Sequence, residues 1–225
     1  PVDSSSSRIA GRLSGGLKNG YQRTTDLTRA HHLTVGDDFQ DYVRQVNSDT
    51  RRKMFRHRSR VSGLSICRRD PLDMDNFLGK MNAYLRRRWG SAPFTGSKRA
   101  FHNCLATQLA ASGSMILSEM SIDGAPISLM YDVCRNGVQY NLQSAFCPDH
   151  ARGITPSYLH LGLSIEDACE RGIARVNLLA GRGKRRDYKK DFSTGFDQLH
   201  CIQILVGGPG ALIYKVYDRF RSSAD

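Results

Sequence analysis

The sequence predicts an α+β fold, one mixed sheet covered by helices, and three features carry that expectation. Residues 115–146 hold three β-rich runs separated by Asp123-Gly124 and Asn136-Gly137. Both dipeptides suit type I′ turns, whose two central residues need positive φ, so the runs read as an antiparallel meander. Helical periodicity dominates before the meander and returns after it, from Thr155-Pro156. A β-rich run at Ala174–Leu179 then follows that helix, which adds a strand by crossover.

In chain order, residues 1–36 are rich in Ser, Gly, Thr and Arg and show little periodicity. They read as a flexible arm or linker, with room for part of it to lie extended against the domain at 37–225. Phe39, Tyr42, Val43 and Val46 have helical spacing. Ser48 or Asp49 can cap a helix over 50–61 that carries Arg51, Arg52, Lys53, Arg56, Arg58 and Arg60. That basic face is either solvated or a contact for an anionic partner. Leu64–Arg68 reads as a strand. Asp70-Pro71 then opens a helix through Trp89 with Phe77, Met81, Tyr84 and Leu85 on one face, and Arg86–Arg88 suit its negative end. Ser97–Ser112 reads as a helix, and Met115–Ile122, Ala125–Cys134 and Gly137–Phe146 as the meander strands. A helix over 155–171, strands over 174–179 and 199–206, and a helix from about 209 complete the expectation.

Composition narrows the classes. The chain has 225 residues, 40% hydrophobic and 24% charged, as in a globular domain with one core. No run approaches the ~18 apolar residues of a membrane helix, and the N-terminus lacks a signal-peptide core. The sequence starts with Pro1 and reads as a trimmed chain or fragment. Cys67, Cys104, Cys134, Cys147, Cys169 and Cys201 show neither C-x-x-C pairing nor zinc-site spacing, so no metal is expected. They read as reduced thiols of a cytoplasmic protein. Cys147 stands apart because it lies in the loop discussed next. A formal charge of +12 favours anionic partners without choosing among nucleic acid, membrane surface and polyphosphate cofactor.

The segment from Leu142 to Lys189 is the most informative. A strand ends at Phe146, a loop containing Gly153 follows, and Thr155-Pro156 starts a helix. Glycine permits close backbone approach, and a helix start offers unpaired N–H groups to phosphate. The run 174–179 then leads into a basic, Gly-rich loop at 181–190. The layout suits a nucleotide-bearing cofactor lying across two neighbouring strands. An ordinary strand–loop–helix connection is the alternative reading.

At this point a family resemblance enters. The ordered set DTRRKMFRHRSRV at 49–61, Arg88-Trp89, GSMILSEMSIDGAPIS at 113–128, Tyr140–Phe146, the Gly-Ile-Thr-Pro helix start and Tyr188-Lys189 resembles acetyltransferase-like proteins of the CelD/BcsL cellulose-biosynthesis type. Those belong to the GCN5-related N-acetyltransferase (GNAT) superfamily and are cousins of Fem-type transferases. Two departures stand out: Asn177-Leu178-Leu179 replaces the frequent Asp-Phe-Leu, and the superfamily phosphate signature is only partly kept in His150–Thr155. The resemblance implies a GNAT-like fold over 37–225, as the C-terminal half of a longer protein. It implies transfer from acetyl-CoA or another acyl-CoA to a small-molecule or glycan amine acceptor in polysaccharide or cell-envelope biosynthesis.

Its residue expectations follow. Phe146, His150, Arg152, Gly153, Ile154, Thr155 and Ser157 would hold the cofactor. Tyr188 would orient substrate or protonate the leaving group, unless it is merely a packed ring. Glu119 and Asp132 are candidate bases, unless strand alternation turns them to water. Arg182, Arg185 and Lys189, with Lys184 and Arg186, would hold an anionic acceptor or a phosphate, or else form a solvated loop. Two further readings stay open: a non-catalytic module for an anionic polymer or partner, and a Fem-like transferase using aminoacyl-tRNA, whose basic faces would meet RNA.

Overall fold

The structure, a computed structural model, describes residues 20–35, 38–147, 153–180, 188–206 and 208–221. Their strands are β1 (Gly20–Thr34), β2 (Leu64–Arg69), β3 (Met115–Ile122), β4 (Ala125–Arg135), β5 (Val138–Phe146), β6 (Arg175–Asn177) and β7 (Gly195–Val206). Their α-helices are α1 (Phe39–Gln45), α2 (Ser48–Met54), α3 (Met74–Trp89), α4 (Gly96–Ala110), α5 (Pro156–Glu170) and α6 (Gly208–Arg221). Among the described residues the strands form one seven-stranded sheet in the order β2-β3-β4-β5-β6-β1-β7. The chain divides into a large unit, His31–Phe196, and a smaller one from the segments on either side of it. In the smaller unit Gln198 donates its side-chain N–H to the Thr28 carbonyl. The large unit carries everything that follows.

The meander forms as the turns require. Asp123 and Gly124, like Asn136 and Gly137, all have positive φ. β3, β4 and β5 pair antiparallel in sequence order. β6 pairs parallel with β5 after the α5 crossover and antiparallel with the end of β1. Each sheet face packs its own helices. Leu117, Leu129, Tyr131 and Ala145 meet Phe77, Leu78 and Met81 of α3 and Ala106 of α4. Met130 and Val176 meet Leu161, Ile165 and Ala168 of α5, with Tyr42 of α1 and Met54 of α2. Buried His160 on α5 joins the helix to two strands, its ring nitrogens each 2.9 Å from the hydroxyls of Ser118 and Ser128. Burial holds this imidazole neutral, with its pKa pushed down to about 3. Buried Asn82 on α3 grips the following loop, accepting from the Phe94 N–H at 3.1 Å and donating to its carbonyl at 2.7 Å.

Several expectations change in detail. Gly20–Thr34 is a strand, not a flexible linker, and His32–Thr34 pair with Asn177–Arg175. Main-chain pairing needs no side-chain alternation, so periodicity gave no warning. The helix expected over 50–61 ends at Met54 and gives way to a 3₁₀ turn, Arg56–Arg60. Phe55 leaves α geometry there and packs edge-on against Phe39, while crowded like charges disfavour continuation. A 3₁₀ turn at Pro71–Asp73 precedes α3, with Asp70 capping the Leu72 N–H. β6 is three residues long because the Asn177 side chain accepts the Leu179 N–H and Leu179 turns to positive φ.

α5 crosses α2 so closely that a Cβ on Gly162 would lie 2.6 Å from the Met54 carbonyl oxygen. That is inside contact distance, and backbone cannot yield cheaply. Gly162→Ala is expected to lower unfolding stability by about 1–3 kcal/mol despite alanine's better helix propensity. Denaturant melts of the two proteins check this; an unchanged or raised midpoint would disprove the close packing.

Candidate functional site

The site is built where β5 and β6 part. Their parallel pairing covers Val138, Gln139 and Tyr140 against Arg175, Val176 and Asn177. β6 then stops, while β5 continues to Phe146. The β5 edge from Asn141 to Phe146 therefore faces no strand among the described residues. On the other side of β5, Gln143 pairs with Tyr131 and Asn141 with Asp132, which leaves Leu142 without a partner. This bulge re-aims the side chains, so that Asn141 and Ser144 both line the gap. A small cavity of about 30 Å³ lies there, walled by Asn141, Ser144, Ser157, Tyr158, Tyr188, Lys189 and Phe192, with Leu161 and Leu178.

The start of α5 forms one wall. Thr155 occupies the N-cap in extended geometry, and its carbonyl takes the N–H groups of Tyr158 and Leu159. Pro156 brings no donor, so Ser157 supplies the first free N–H of the helix, at its positive dipole end. Gly153 just before has φ +71° and open space where a Cβ would be. Ile154 is buried against Met120, Ile127 and Leu159, which fixes the turn. His150 and Arg152, expected beside these residues, lie outside the described residues, as do Arg182, Lys184, Arg185 and Arg186. Cys147 is buried, with Arg87 Nη1 3.9 Å from its sulfur.

The opposite wall is the 3₁₀ turn Tyr188–Asp191. Tyr188 is 37% exposed, and its ring packs edge-on against Phe192. Lys189, expected to hold an anion, instead donates to the carbonyls of Leu178 (2.5 Å), Leu179 (3.1 Å) and Ala180 (3.2 Å). These are the acceptors released when β6 ends, and an ammonium has three N–H donors to meet three carbonyls.

The two candidate bases lie on opposite faces of the sheet, and neither points to water. Glu119 faces α3, where it binds Arg69 and, at 3.0 Å, Lys80. Burial pushes its carboxyl up, but the two cations outweigh this and hold it below its ordinary value. It is an ion-pair centre away from the cleft. Asp132 faces α5 and is fully buried. It accepts from Asn141 Nδ2 at 2.6 Å and Gln139 Nε2 at 3.1 Å; Gln139 also reaches Ser164. Asn141 in turn accepts the Ser144 hydroxyl at 3.1 Å. Burial raises the Asp132 pKa to about 7, with Asn141, Gln139 and Arg171 opposing the rise. Asp132 thus stands one amide behind the cavity.

Of the residues expected from the sequence, Ser157, Tyr188 and Lys189 line this cavity; Asn141, Ser144, Tyr158 and Phe192 line it without having been expected. The available signal was three polar residues, Asn141, Gln143 and Ser144, in the run Tyr140–Phe146, but strict alternation puts 141 and 144 on opposite faces; only the bulge unites them. A larger hollow of about 290 Å³ lies between β2, β3 and α5. Two of its carboxylates, Glu166 and Asp167, are already paired with Arg58 and Arg68. Among the described residues no group of three or more His, Cys, Asp or Glu could hold a metal, and no helix is long and apolar enough to cross a membrane.

Residues 44–190 match the acetyltransferase (GNAT) domain family. The chain belongs to that family. No curated protein matches the sequence. Among solved structures, FemX is similar with TM-score 0.64 and 11% identity, covering 92% of this chain and 68% of its own. A C-terminal domain assigned to a lysylphosphatidylglycerol synthetase of Agrobacterium fabrum gives 0.58 at 10% identity, covering 92% and 67%. L-PGS from Bacillus licheniformis gives 0.56 at 9%, covering 87% and 64%. This GNAT domain thus spans about two thirds of the chains it resembles, and at these identities they share its fold.

Two outcomes are expected here. Asp132 has its pKa raised from 3.8 to about 7, so the folded state holds an extra proton between those values. That contribution is complete below pH ~4 and lost as pH rises through ~7. Relative to Asp132→Asn, the wild type should therefore lose stability across that window, by up to a few kcal/mol; parallel pH profiles would refute the buried carboxyl. Lys189→Met should cost about 2 kcal/mol in denaturant melts by stranding carbonyls, and Lys189→Arg should not restore it.

Proposed function

We propose that this GNAT domain is an acyltransferase that moves an acyl group from acyl-CoA to an amine acceptor. The observation that supports this best is the parting of β5 and β6 beside the free helix start of α5. An exposed strand edge offers hydrogen bonds to an extended amide-bearing chain, and a helix start with open space at Gly153 offers N–H donors to phosphate. The residues present fit such a ligand. Bound acyl-CoA would supply an activated thioester carbonyl.

The chain's own groups then divide the work. Ser157, through its N–H and hydroxyl, and the Gly153–Thr155 turn hold phosphate, with Phe146 at the strand end. Backbone donors on the open β5 edge, re-aimed by the Leu142 bulge, can take the charge that gathers on a carbonyl oxygen. Tyr188 holds a proton for the departing sulfur. The acceptor must lose a proton to attack. Asp132, titrating near neutrality, is the group placed to set the orientation of Asn141 and Ser144 around that amine. Positioning carries much of the barrier reduction in such a site, about 7–11 kcal/mol where alignment is good. The motifs shared with CelD/BcsL-type proteins favour a glycan or cell-envelope acceptor.

Calorimetric titration with acetyl-CoA, long-chain acyl-CoA and tRNA tests this reading. Saturable acyl-CoA binding is the expected result; tRNA binding without acyl-CoA binding would replace the reading with aminoacyl transfer. With an acceptor in hand, Tyr188→Phe should lower kcat about 10²-fold or more while acyl-CoA affinity holds. Full turnover would leave the tyrosine a packing residue.

A further inference from the structure

Among the described residues, one cation near the end of β5 meets no carboxylate. Lys189 is occupied by backbone carbonyls, and Arg69, Lys80, Arg68, Arg58 and Arg99 all meet carboxylates. Arg88, at the end of α3, meets none among the described residues. Its guanidinium lies 4.2 Å from the centre of the Phe146 ring and 4.9 Å from that of Trp89. Phe146 ends β5, on the edge left open where β6 stops. Arg88 is exposed as a residue, yet partial burial pushes its guanidinium below its ordinary value, with Tyr188 opposing. Its N–H groups meet no acceptor among the described residues, and a guanidinium donates in a fork that fits two oxygens of one anion. A guanidinium that lies against two aromatic rings, without a carboxylate among the described residues, is open to an oxyanion supplied from outside.

We propose that Arg88 is an anion-binding residue at the mouth of the cleft and that its ligand is a phosphate group. The phosphate comes either from acyl-CoA or from a phosphorylated acceptor. This rests on the acyltransferase reading for the cleft, but not for the anion itself.

The test compares wild type, Arg88→Met and Arg88→Lys by calorimetric titration at low salt. Met keeps the long apolar stem over the rings, and Lys keeps the charge without the fork. The probes are coenzyme A, pantetheine, and inorganic pyrophosphate added to coenzyme A-saturated protein. Circular dichroism and thermal melts establish that each variant is folded. If the phosphate is the donor's, Arg88→Met weakens coenzyme A binding about 10- to 100-fold, leaves pantetheine unchanged, and Lys recovers only part. If it is the acceptor's, coenzyme A binding holds and pyrophosphate binding to the saturated protein is lost by a similar factor. Unchanged affinity for both coenzyme A and pyrophosphate in folded Arg88→Met overturns the proposal while leaving the acyltransferase reading intact. If wild type binds no coenzyme A, pyrophosphate is titrated into the free protein. Arg88-dependent binding there overturns the acyltransferase reading and keeps the anion site; its absence overturns both.

Discussion

The site depends on a strand that stops early. β5 and β6 share only three residue pairs before Asn177 turns the chain through its own side chain and Leu179 takes up a left-handed conformation. Such a conformation costs a non-glycine residue roughly 1–2 kcal/mol. It persists because Lys189 gathers the carbonyls that the missing pairing leaves open. One ammonium thus satisfies the backbone of one wall and ties the Tyr188–Asp191 turn beside it. Had β6 run on beside β5, the same N–H and C=O groups would be consumed in a ladder and no cleft would exist.

The core supports this opening from both faces. On one side α5 is locked by His160 between two serines and by its tight crossing at Gly162. On the other, α3 and α4 cover the meander and the Glu119 ion pairs brace α3 against β3. His160 and Asp132 lie on the same face yet answer burial oppositely. The imidazole stays neutral by losing its proton and the carboxyl by keeping one. Both obey the same rule, that charge is expensive away from water. Only Asp132 is linked, through Asn141, to the cavity.

Much of the fold is legible in the sequence because local chemistry dictates it. The Asp-Gly and Asn-Gly turns fix the meander to within a residue, and Thr155-Pro156 marks the helix start. The strand at 20–34 is not legible, since its pairing is long-range and its side chains do not alternate. Site reading follows the same division. Residues carried by a helix start or by a motif, such as Ser157 and Tyr188, come to line the cavity. Asn141 and Ser144 need the bulge at Leu142, which no spacing rule reveals. Lys189 is marked by its motif, while the contacts it makes are to carbonyls exposed just past a strand that ends twelve residues earlier.

The grip of Asn82 on Phe94 reaches further than the loop it closes. By binding both main-chain groups of Phe94, this amide behaves as a one-residue strand. It removes the freedom of the α3–α4 connection to swing about Gly90. Six residues on from Asn82, Arg88 rides the last turn of the same helix. The arginine that leans over Phe146 therefore rides a helix whose exit is anchored in the protein interior, as a crane arm is anchored at its bolted foot.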